Sequence, residues 1–223
     1  AISEADMFHC EYWSLEQAKL GTAKEPPLAG QIAVLTGAGG AIGTAAVQLA
    51  TSYGAKVTAV VATRHLELVK SLGAQRAVDY TTLDFTQIGE TFDAVFDAVG
   101  KTTYFHCLPL LKPEGVFAAT DLGPWCQNPL LTIWSSITGS RRVIFPLPQS
   151  SKAKALIEFL KACMEADEFR AVIDRAYPLE AIADAYRYVE TQQKTGIVVI
   201  NMMPVQPMPY LTQPGRGLTN LQS

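Results

Sequence analysis

A cluster of glycines after an apolar run holds the residues whose types and spacing most clearly predict chemistry. The run Ile32–Thr36 leads into Gly37-Ala38-Gly39-Gly40-Ala41-Ile42-Gly43, and a helical pattern follows at once. Gly37 can adopt backbone angles closed to other residues, Gly40 has no side chain to keep a phosphate off the backbone, and Gly43 allows close helix packing. Because the free N–H groups and positive dipole end of a helix favour anions, the sequence predicts a phosphate-binding turn.

The spacing of these glycines departs from the strict pattern GxGxxG. Ile42 stands where the third glycine would fall if the pattern began at Gly37. The frame that fits runs Ala38, Gly40, Gly43, with alanine in the first place. Glycine-rich turns also occur in proteins that bind nothing there, so the motif alone leaves a ligand-free turn open as the alternative.

The composition is that of a globular protein and excludes several classes of function. Of 223 residues, 48% are hydrophobic and 17% are charged, and the formal net charge is −3. That balance argues against a nucleic-acid-binding surface, and the apolar runs are too short to cross a bilayer. The acidic start of the sequence lacks the features of a signal peptide. We therefore expect a cytoplasmic protein with neither nucleic-acid nor membrane partners.

The cysteines and histidines do not predict a metal site. Cys10, Cys107, Cys126 and Cys163 are scattered and form no CxxC pair, so we interpret them as buried structural thiols. Side chains of adjacent residues diverge in both strands and helices, which excludes His9-Cys10 and His106-Cys107 as paired ligands.

Strands and helices alternate along most of the chain. The predicted strands are Ile32–Thr36, Lys56–Val61, Arg76–Tyr80, Phe92–Val99, Val116–Thr120 and Ile197–Ile200, with a short extended piece at Val172-Ile173. The predicted helices are Gly43–Tyr53, Leu66–Leu72, Tyr104–Leu111, one near Leu130–Ile137, Lys152–Ala166 and Leu179–Thr191.

This alternation predicts an α/β fold with a doubly wound parallel sheet that is covered on both faces. Ligands of such sheets bind at the carboxyl ends of the strands. We expect a dinucleotide-binding domain over residues 31–202, preceded by a segment 1–30 that includes a short helix at Glu11–Leu20. Residues 203–223 contain four prolines and predict an extended or disordered tail.

The residues after the second strand favour NADP(H) over NAD(H). An acidic residue there would bind the 2′-hydroxyl of the adenosine ribose, but the sequence is Ala62-Thr63-Arg64-His65, and the first acid is Glu67. A hydroxyl and a guanidinium suit a 2′-phosphate. The alternative is that Thr63 caps the following helix, and both roles are compatible.

From Gln31 to Asn201 the chain resembles the cofactor domain of the medium-chain dehydrogenase/reductase superfamily, in its zinc-independent NADPH:quinone oxidoreductase-like branch. The resemblance rests on several segments in the right order, each weak alone. They are the turn Gly37–Gly43 with Ala46-Val47-Gln48-Leu49-Ala50, Leu72-Gly73-Ala74 with Val78-Asp79-Tyr80, Phe92–Gly100, Leu111-Lys112-Pro113-Glu114-Gly115, and Lys194–Val199.

The resemblance implies a Rossmann fold and a role for residues at the matching positions. Gly37, Gly40, Ala41, Ile42 and Gly43 would hold the pyrophosphate, Thr63 and Arg64 the 2′-phosphate, and Tyr80 would lie beside the adenosine. Ala98, Val99, Gly100, Leu122 and Gly123 would approach the ribose and nicotinamide. On residue type alone, Tyr80 is equally a strand-end aromatic that covers the sheet edge. Asp93 and Asp97 share a strand face, where capping and loop hydrogen bonds are expected rather than a catalytic carboxylate pair.

One departure from the family concerns its catalytic domain. In the family, a β-rich catalytic domain precedes the cofactor domain, and residues 1–30 are too few to form it. We therefore expect a cofactor domain without that β domain, whether as a fragment, a truncated relative or a piece joined to something else.

Part of the chain also resembles a second kind of enzyme. The stretch from Glu11 to Gly39 is similar to the join between aldolase and short-chain dehydrogenase modules in bifunctional enzymes. However, no tyrosine is followed four positions later by the lysine that short-chain dehydrogenases require. That mechanism is rejected, and a mosaic origin stays open.

The expected function is that of an NADPH-dependent oxidoreductase module that delivers hydride to a quinone or enone. No catalytic residue and no metal ligand are predicted. The alternatives are a non-catalytic NADP(H)-binding sensor or partner subunit, a fragment of a larger enzyme, and a dinucleotide fold without ligand. The strand Ile197–Ile200 is expected at an exposed sheet edge and predicts a homodimer.

Overall fold

A computed structural model describes residues 32–123, 126–138, 141–145 and 153–202. The predicted segment 1–30 with its helix Glu11–Leu20, and the predicted tail 203–223, lie outside these ranges. The chain divides into two compact units. The first unit comprises residues 1–172 and 195–197, and the second comprises residues 173–194 and 198–223.

The first unit is built on a six-stranded sheet whose order is β3-β2-β1-β4-β5-β6. All the adjacent strands are parallel. The order reverses between β1 and β4, which confirms the predicted doubly wound topology. The strands are β1 (Ile32–Thr36), β2 (Lys56–Val61), β3 (Arg76–Asp79), β4 (Phe92–Asp97), β5 (Leu111–Ala119) and β6 (Arg142–Ile144).

Helices or short 3-10 turns connect successive strands of the main sheet. In the first unit the helices are α1 (Ala41–Ser52), α2 (Leu66–Ser71), α3 (Tyr104–Cys107), α4 (Gln127–Thr138) and α5 (Ala153–Glu165). Short 3-10 turns lie at Thr63–His65, Phe85–Gln87 and Leu108–Leu110. The second unit contains β7 (Ile173–Pro178), a 3-10 turn (Leu179–Ala181), α6 (Ile182–Glu190) and most of β8 (Ile197–Asn201).

The main sheet is buried on both faces, because consecutive strand residues belong to different clusters of core side chains. Val95 lies in one cluster, while the next residue, Phe96, lies in the other. Helix α1 packs on the Phe96 side through Val47, and α3 packs on the Val95 side through Tyr104. Near-continuous apolar strands therefore mark a sheet covered by helices on both faces.

The segment Lys112–Gly115 adopts a different structure from the one expected. The sequence predicts a helix over Tyr104–Leu111 with this segment directly after it, but α3 stops at Cys107 and β5 already begins at Leu111. Phe92 pairs with Leu111 and Ala94 pairs with Val116, so the chain between these β5 residues bulges out of register. A bulge tolerates Pro113, whose missing N–H would interrupt a regular ladder.

The strands near the end of the chain differ from the prediction in three respects. Strand β6 was not predicted, because three residues are too few to show a period. Strand β8 does not close the main sheet but pairs with β7 in a separate two-stranded sheet. The short extended piece expected at Val172-Ile173 is replaced by a strand that begins at Ile173, β7 (Ile173–Pro178). The outer strands of the main sheet are therefore β3 and β6.

The cysteine prediction holds only in part. Cys107 is buried, Cys163 is partly buried and Cys126 is exposed, while Cys10 lies outside the described residues. Burial raises the pKa of the Cys107 thiol to about 11, so it stays protonated at neutral pH. Within the described ranges, no helix has the length and apolar character that a membrane span requires.

Candidate functional site

The sequence-predicted site residues all follow strands whose carboxyl ends meet at one edge of the main sheet. This is the edge where doubly wound sheets bind ligands, and the crevice lies where strand order reverses, here between β1 and β4. In chain order the residues are Gly37, Gly40, Ala41, Ile42 and Gly43 after β1, Thr63 and Arg64 after β2, Tyr80 after β3, Ala98, Val99 and Gly100 after β4, and Leu122 and Gly123 after β5.

The glycine turn connects β1 to α1 within a few residues. Gly37 has φ +71°, a left-handed conformation that favours glycine, and its carbonyl oxygen accepts the Gly40 N–H at 3.1 Å. The helix then begins at Ala41, with no acidic residue in its first turn and no described side chain hydrogen-bonded as its cap. Its first N–H groups therefore lack intrahelical acceptors at the edge of the sheet.

Gly43 and Gly40 are glycines for different reasons. A β-carbon at Gly43 would overlap the Gly37 carbonyl oxygen and the Ala38 backbone, so internal packing requires glycine there. A β-carbon at Gly40 would come no closer than 3.6 Å to any described heavy atom, again the Gly37 oxygen. Gly40 is also extended, with φ −84° and ψ −179°, which any residue adopts. Within the described chain, a methyl group at Gly40 would therefore make only ordinary van der Waals contact, directly before the start of the helix.

The turn is also held by a segment far along the chain. The Gly196 N–H donates to the Gly39 carbonyl at 3.0 Å, and Gly196 forms a parallel bridge with Gly40. Thr195 Oγ1 lies 2.8 Å from Nε2 of His65, whose ring occupies the place of a β-carbon at Gly39. Sequence reasoning missed these contacts, because nothing local signals a pair 130 residues apart.

Asp97 organises the loop after β4. Its Oδ1 accepts the Thr36 hydroxyl at 2.8 Å and the N–H groups of Val99 and Gly100 at 3.1 and 3.2 Å, and its Oδ2 accepts the Thr102 N–H at 3.3 Å. Burial raises the pKa of Asp97, while the Thr36 hydroxyl and the loop N–H groups act in the opposite direction. The carboxylate thus joins the ends of β1 and β4.

The predicted loop role is confirmed for Asp97, and the two carboxylates do not form a pair. Asp93, at the other end of the strand, forms an ion pair with Lys112 at 2.8 Å. Asp97 is 1% exposed, so it positions the loop rather than facing the crevice. Val99, which it holds, lies against Gly37, where a β-carbon would overlap the Val99 side chain.

The loop after β5 is attached to the loop after β4 through Asp121. Asp121 Oδ2 accepts the Gly123 N–H at 2.8 Å, and a β-carbon at Gly100 would lie 2.7 Å from the same carboxylate. The Asn128 amide donates to the Asp121 carbonyl at 2.9 Å. Leu122 and Val99 remain half exposed at this end. Sequence reasoning named the glycines here but missed the acid between them.

The end of β2 differs from expectation in one respect. The 3-10 turn Thr63–His65 has Ala62 as its N-cap and no side-chain cap, so the interpretation of Thr63 as a helix cap is wrong. The Thr63 hydroxyl instead donates to Asp79 Oδ2 at 2.5 Å. Arg64 is exposed and its Nε donates to His65 Nε2 at 3.2 Å. Tyr80 follows the outer strand β3 and is 57% exposed, as expected both for an aromatic side chain at a sheet edge and for one beside a bound adenosine.

Comparison with known proteins identifies the family. The model of a family described as "Zinc-binding dehydrogenase" matches residues 72–200, more than half of the chain. The chain belongs to the medium-chain dehydrogenase/reductase superfamily. Within it, the chain falls in the quinone oxidoreductase- and alkenal reductase-like branch, and it corresponds to the Rossmann cofactor domain.

The relatives of this medium-chain dehydrogenase/reductase chain are longer proteins. It is 33% identical over 196 residues to the NADPH-dependent alkenal/one oxidoreductase of Arabidopsis thaliana, covering 86% of this chain and 46% of that one. The 2-methylene-furan-3-one reductase of Solanum lycopersicum is also 33% identical, over 197 residues, with 86% and 44% covered. The chain thus spans about half the length of these relatives.

Solved structures support the fold of the medium-chain dehydrogenase/reductase chain. The quinone oxidoreductase of Coxiella burnetii superposes with a TM-score of 0.74 at 24% identity, covering 89% of this chain and 58% of that one. Among the described residues of this chain, no three His, Cys, Asp or Glu side chains cluster so that they could hold a metal ion.

The two glycines allow a test that separates packing from ligand binding. We expect Gly40→Ala to keep its free energy of unfolding within about 1 kcal/mol, because the methyl group makes only an ordinary van der Waals contact. The same variant should lose at least about tenfold in dinucleotide affinity. Gly43→Ala is the matched comparison and should lose about 1–3 kcal/mol of stability through overpacking. Urea denaturation and calorimetric titration measure both. Normal nucleotide binding by Gly40→Ala would contradict the phosphate role.

The Asp97 loop predicts a loss of stability. Asp97→Ala leaves the Thr36 hydroxyl and three backbone N–H groups without their acceptor, which should cost about 1–3 kcal/mol in urea denaturation. Asp93→Ala is the control on the same strand, since its ion pair with Lys112 is part-exposed and should be worth less than about 1 kcal/mol. Equal losses in the two variants would show that Asp97 does not organise the loop.

The raised pKa of Asp97 also predicts a pH dependence. Because the folded protein holds this proton to a higher pH than the unfolded chain, the Asp97 contribution is fully present below the ordinary Asp pKa. This contribution to stability is lost as the pH rises from the ordinary Asp pKa through the raised pKa of Asp97 in the folded protein. Asp97→Asn should flatten this part of the stability-against-pH curve relative to wild type, as measured by thermal unfolding across that window.

Proposed function

We propose that this chain is the NADP(H)-binding module of an oxidoreductase that reduces an electron-poor alkene or quinone, without zinc in this module. The observation that carries the proposal is Gly40. Within the described chain, neither packing nor backbone conformation requires a glycine there, and Gly40 precedes a helix whose N-terminus no described side chain caps, at the reversal of strand order. Phosphate binding accounts for all of these features. The names of the plant relatives support the choice of substrate class.

The cofactor would extend along the sheet edge from the end of β3 to the end of β5. The adenosine end would meet the one exposed cationic side chain among the residues proposed to bind the cofactor, Arg64. The proposed contacts are the pyrophosphate with Gly37, Gly40, Ala41, Ile42 and Gly43, the adenosine and its 2′-phosphate with Thr63, Arg64 and Tyr80, and the nicotinamide ribose end with Ala98, Val99, Gly100, Leu122 and Gly123.

The nicotinamide, when bound, supplies the hydride, and the residues of this chain supply position and shielding. Val99 is fixed by the hydrogen bonds that Asp97 accepts, and Leu122 is fixed next to the Asp121 turn. Their half-exposed apolar side chains would cover the ring and keep water from it. Asp97 is too deeply buried to touch substrate, so we assign it a positioning role and leave the proton donor unassigned.

The alternative is a nucleotide-binding module that does not turn over by itself. It is favoured by one observation, that the chain spans only about half the length of its relatives. A sensor, a partner subunit and a cofactor domain of a larger enzyme would all bind NADP(H) without reducing substrate.

The choice of cofactor can be tested by titration. We expect tighter binding of NADPH than of NADH, measured by calorimetry or by fluorescence of the nicotinamide. Arg64→Ala should weaken NADPH about tenfold or more and NADH much less, because charge-assisted hydrogen bonds to the 2′-phosphate are lost. Arg76→Ala, which removes an exposed ion pair with Glu90, is the control. Equal losses for both nucleotides would show that Arg64 has a structural role.

Turnover separates the two candidate functions. With NADPH and a panel of enones and quinones, loss of NADPH absorbance at a rate proportional to protein concentration would support an active module. Binding of NADPH without oxidation by any acceptor would favour the non-catalytic alternative. Failure to bind any adenine nucleotide would remove both.

A homodimer and a cytoplasmic location stay proposals. The strand expected at the dimer edge, β8, pairs with β7. An outer strand of the main sheet, β6, lies beside α4, whose Ser135 hydroxyl accepts the Val143 N–H at 3.0 Å. Helix α4 exposes Leu130, Ile133, Trp134 and Ile137, an apolar surface of the kind that marks protein contacts. The Arabidopsis relative is named as chloroplastic.

A further inference from the structure

An acidic side chain lies at the place where the 2′-phosphate of NADPH is proposed to bind. Strands β2 and β3 are parallel, and Val61 at the end of β2 pairs with Asp79 at the end of β3. Asp79 Oδ2 accepts the Thr63 hydroxyl at 2.5 Å, and its Oδ1 accepts the hydroxyl and N–H of Thr81 at 2.6 and 2.9 Å. The acid missing from the sequence after β2 is thus supplied by the neighbouring strand.

The first consequence concerns the Thr63 hydroxyl. A hydroxyl carries one proton, and the Thr63 proton is directed at Asp79. Towards a ligand, Thr63 Oγ1 therefore offers lone pairs and no donor. A 2′-phosphate needs hydrogen-bond donors. The 2′-hydroxyl of an unphosphorylated ribose can instead donate its own proton to Thr63 Oγ1 or to the Asp79 carboxylate. The hydrogen bond thus favours the cofactor without the phosphate.

The second consequence concerns charge. The hydroxyls of Thr63 and Thr81 hold the pKa of Asp79 below its ordinary value, so the carboxylate is ionised at neutral pH. A carboxylate within hydrogen-bond distance of Thr63 opposes the approach of a phosphate to the same residue. Arg64, the next residue along, has the opposite sign. The two neighbouring charges therefore act in opposite directions on the 2′-phosphate.

We propose that Asp79 limits how strongly this site prefers NADPH over NADH. It repels the 2′-phosphate that Arg64 attracts, and it accepts the proton that Thr63 would otherwise donate to that phosphate. The proposal rests on the proposed function, because it assumes that the adenosine ribose lies at the end of β2. It makes Asp79 a specificity-determining residue for a site in which sequence reasoning recognised only Thr63, Arg64 and Tyr80.

The test removes the charge and keeps the shape of the side chain. Asp79→Asn in the full chain is titrated by calorimetry at low ionic strength with NADPH, NADH, 2′,5′-ADP and 5′-AMP. The affinity for NADPH and 2′,5′-ADP should rise about three- to tenfold, with no such rise for NADH and 5′-AMP. The increase should shrink at high salt, which screens exposed charges. A role confined to shaping the turn would not move the ratio between phosphorylated and unphosphorylated nucleotides.

Asp84→Asn is the matched control. Asp84 also accepts the N–H and hydroxyl of the threonine two residues later, and its pKa is lowered by the same kind of contacts, but it caps the turn Phe85–Gln87. It should leave the nucleotide ratio unchanged. Asp79→Ser, which removes the charge and retains a small acceptor for the Thr81 N–H, is the second variant if Asp79→Asn does not fold as judged by circular dichroism.

The outcomes separate this inference from the function on which it rests. A wild-type chain that binds NADPH, together with Asp79 variants whose ratio matches that of Asp84→Asn, would overturn the role of Asp79 and leave the proposed function intact. A wild-type chain that binds neither NADPH nor 2′,5′-ADP would overturn the proposed function. A rise in the ratio in Asp79→Asn or Asp79→Ser alone supports the inference.

Discussion

The close contact between the start of α1 and the end of β1 is the constraint on which the site depends. The Gly37 carbonyl oxygen lies where a β-carbon of Gly43 would be, so the helix reaches this position only because residue 43 has no side chain. Helix α1 therefore presents its first N–H groups at the point of the sheet where strand order reverses. A methyl group at that contact would move the helix and with it the anion-binding groups.

The conformation of this turn is not a local property alone. His65 packs over Gly39, Thr195 contacts His65, and the Gly196 N–H donates to the Gly39 carbonyl. A segment more than a hundred residues later therefore contributes to the turn. The motif specifies where the chain bends, while its distant contacts fix how the bend is oriented.

Much of the fold could be predicted from sequence because its signals are local. Buried strands such as β1 and β2 are continuous apolar runs bounded by glycine and polar residues, and their predicted limits match the structure. Strand β6 is too short to show a pattern, and Lys112–Gly115 looks like a helix end although pairing with β4 makes it a bulge. The error over β8 has a different origin, since no local signal says which strand it pairs with.

The candidate site shows the same division between local and distant information. Every position marked by a glycine or a strand end could be found from sequence, and all of them lie at one edge of the sheet. Asp79 could not be assigned this way, because the rule for cofactor choice looks for an acid directly after β2. Parallel pairing of Val61 with Asp79 places an acid from β3 at that point, 16 residues from Thr63.

Gly43 and Gly40 belong to one motif, but only Gly43 is required by the packing of the fold. This difference decides how much the motif says about function. Gly43 is required by the packing of the fold, so a chain that had lost its ligand would still need it to stay folded. Gly40 is required by nothing within the described chain, and mutation would be free to replace it if nothing bound there. A glycine without an internal reason is therefore stronger evidence for a ligand than a glycine pattern that satisfies the motif. Asp79, in contrast, keeps its carboxylate charged at a site proposed for a phosphate. A charge in that position affects which nucleotide binds rather than whether a nucleotide binds.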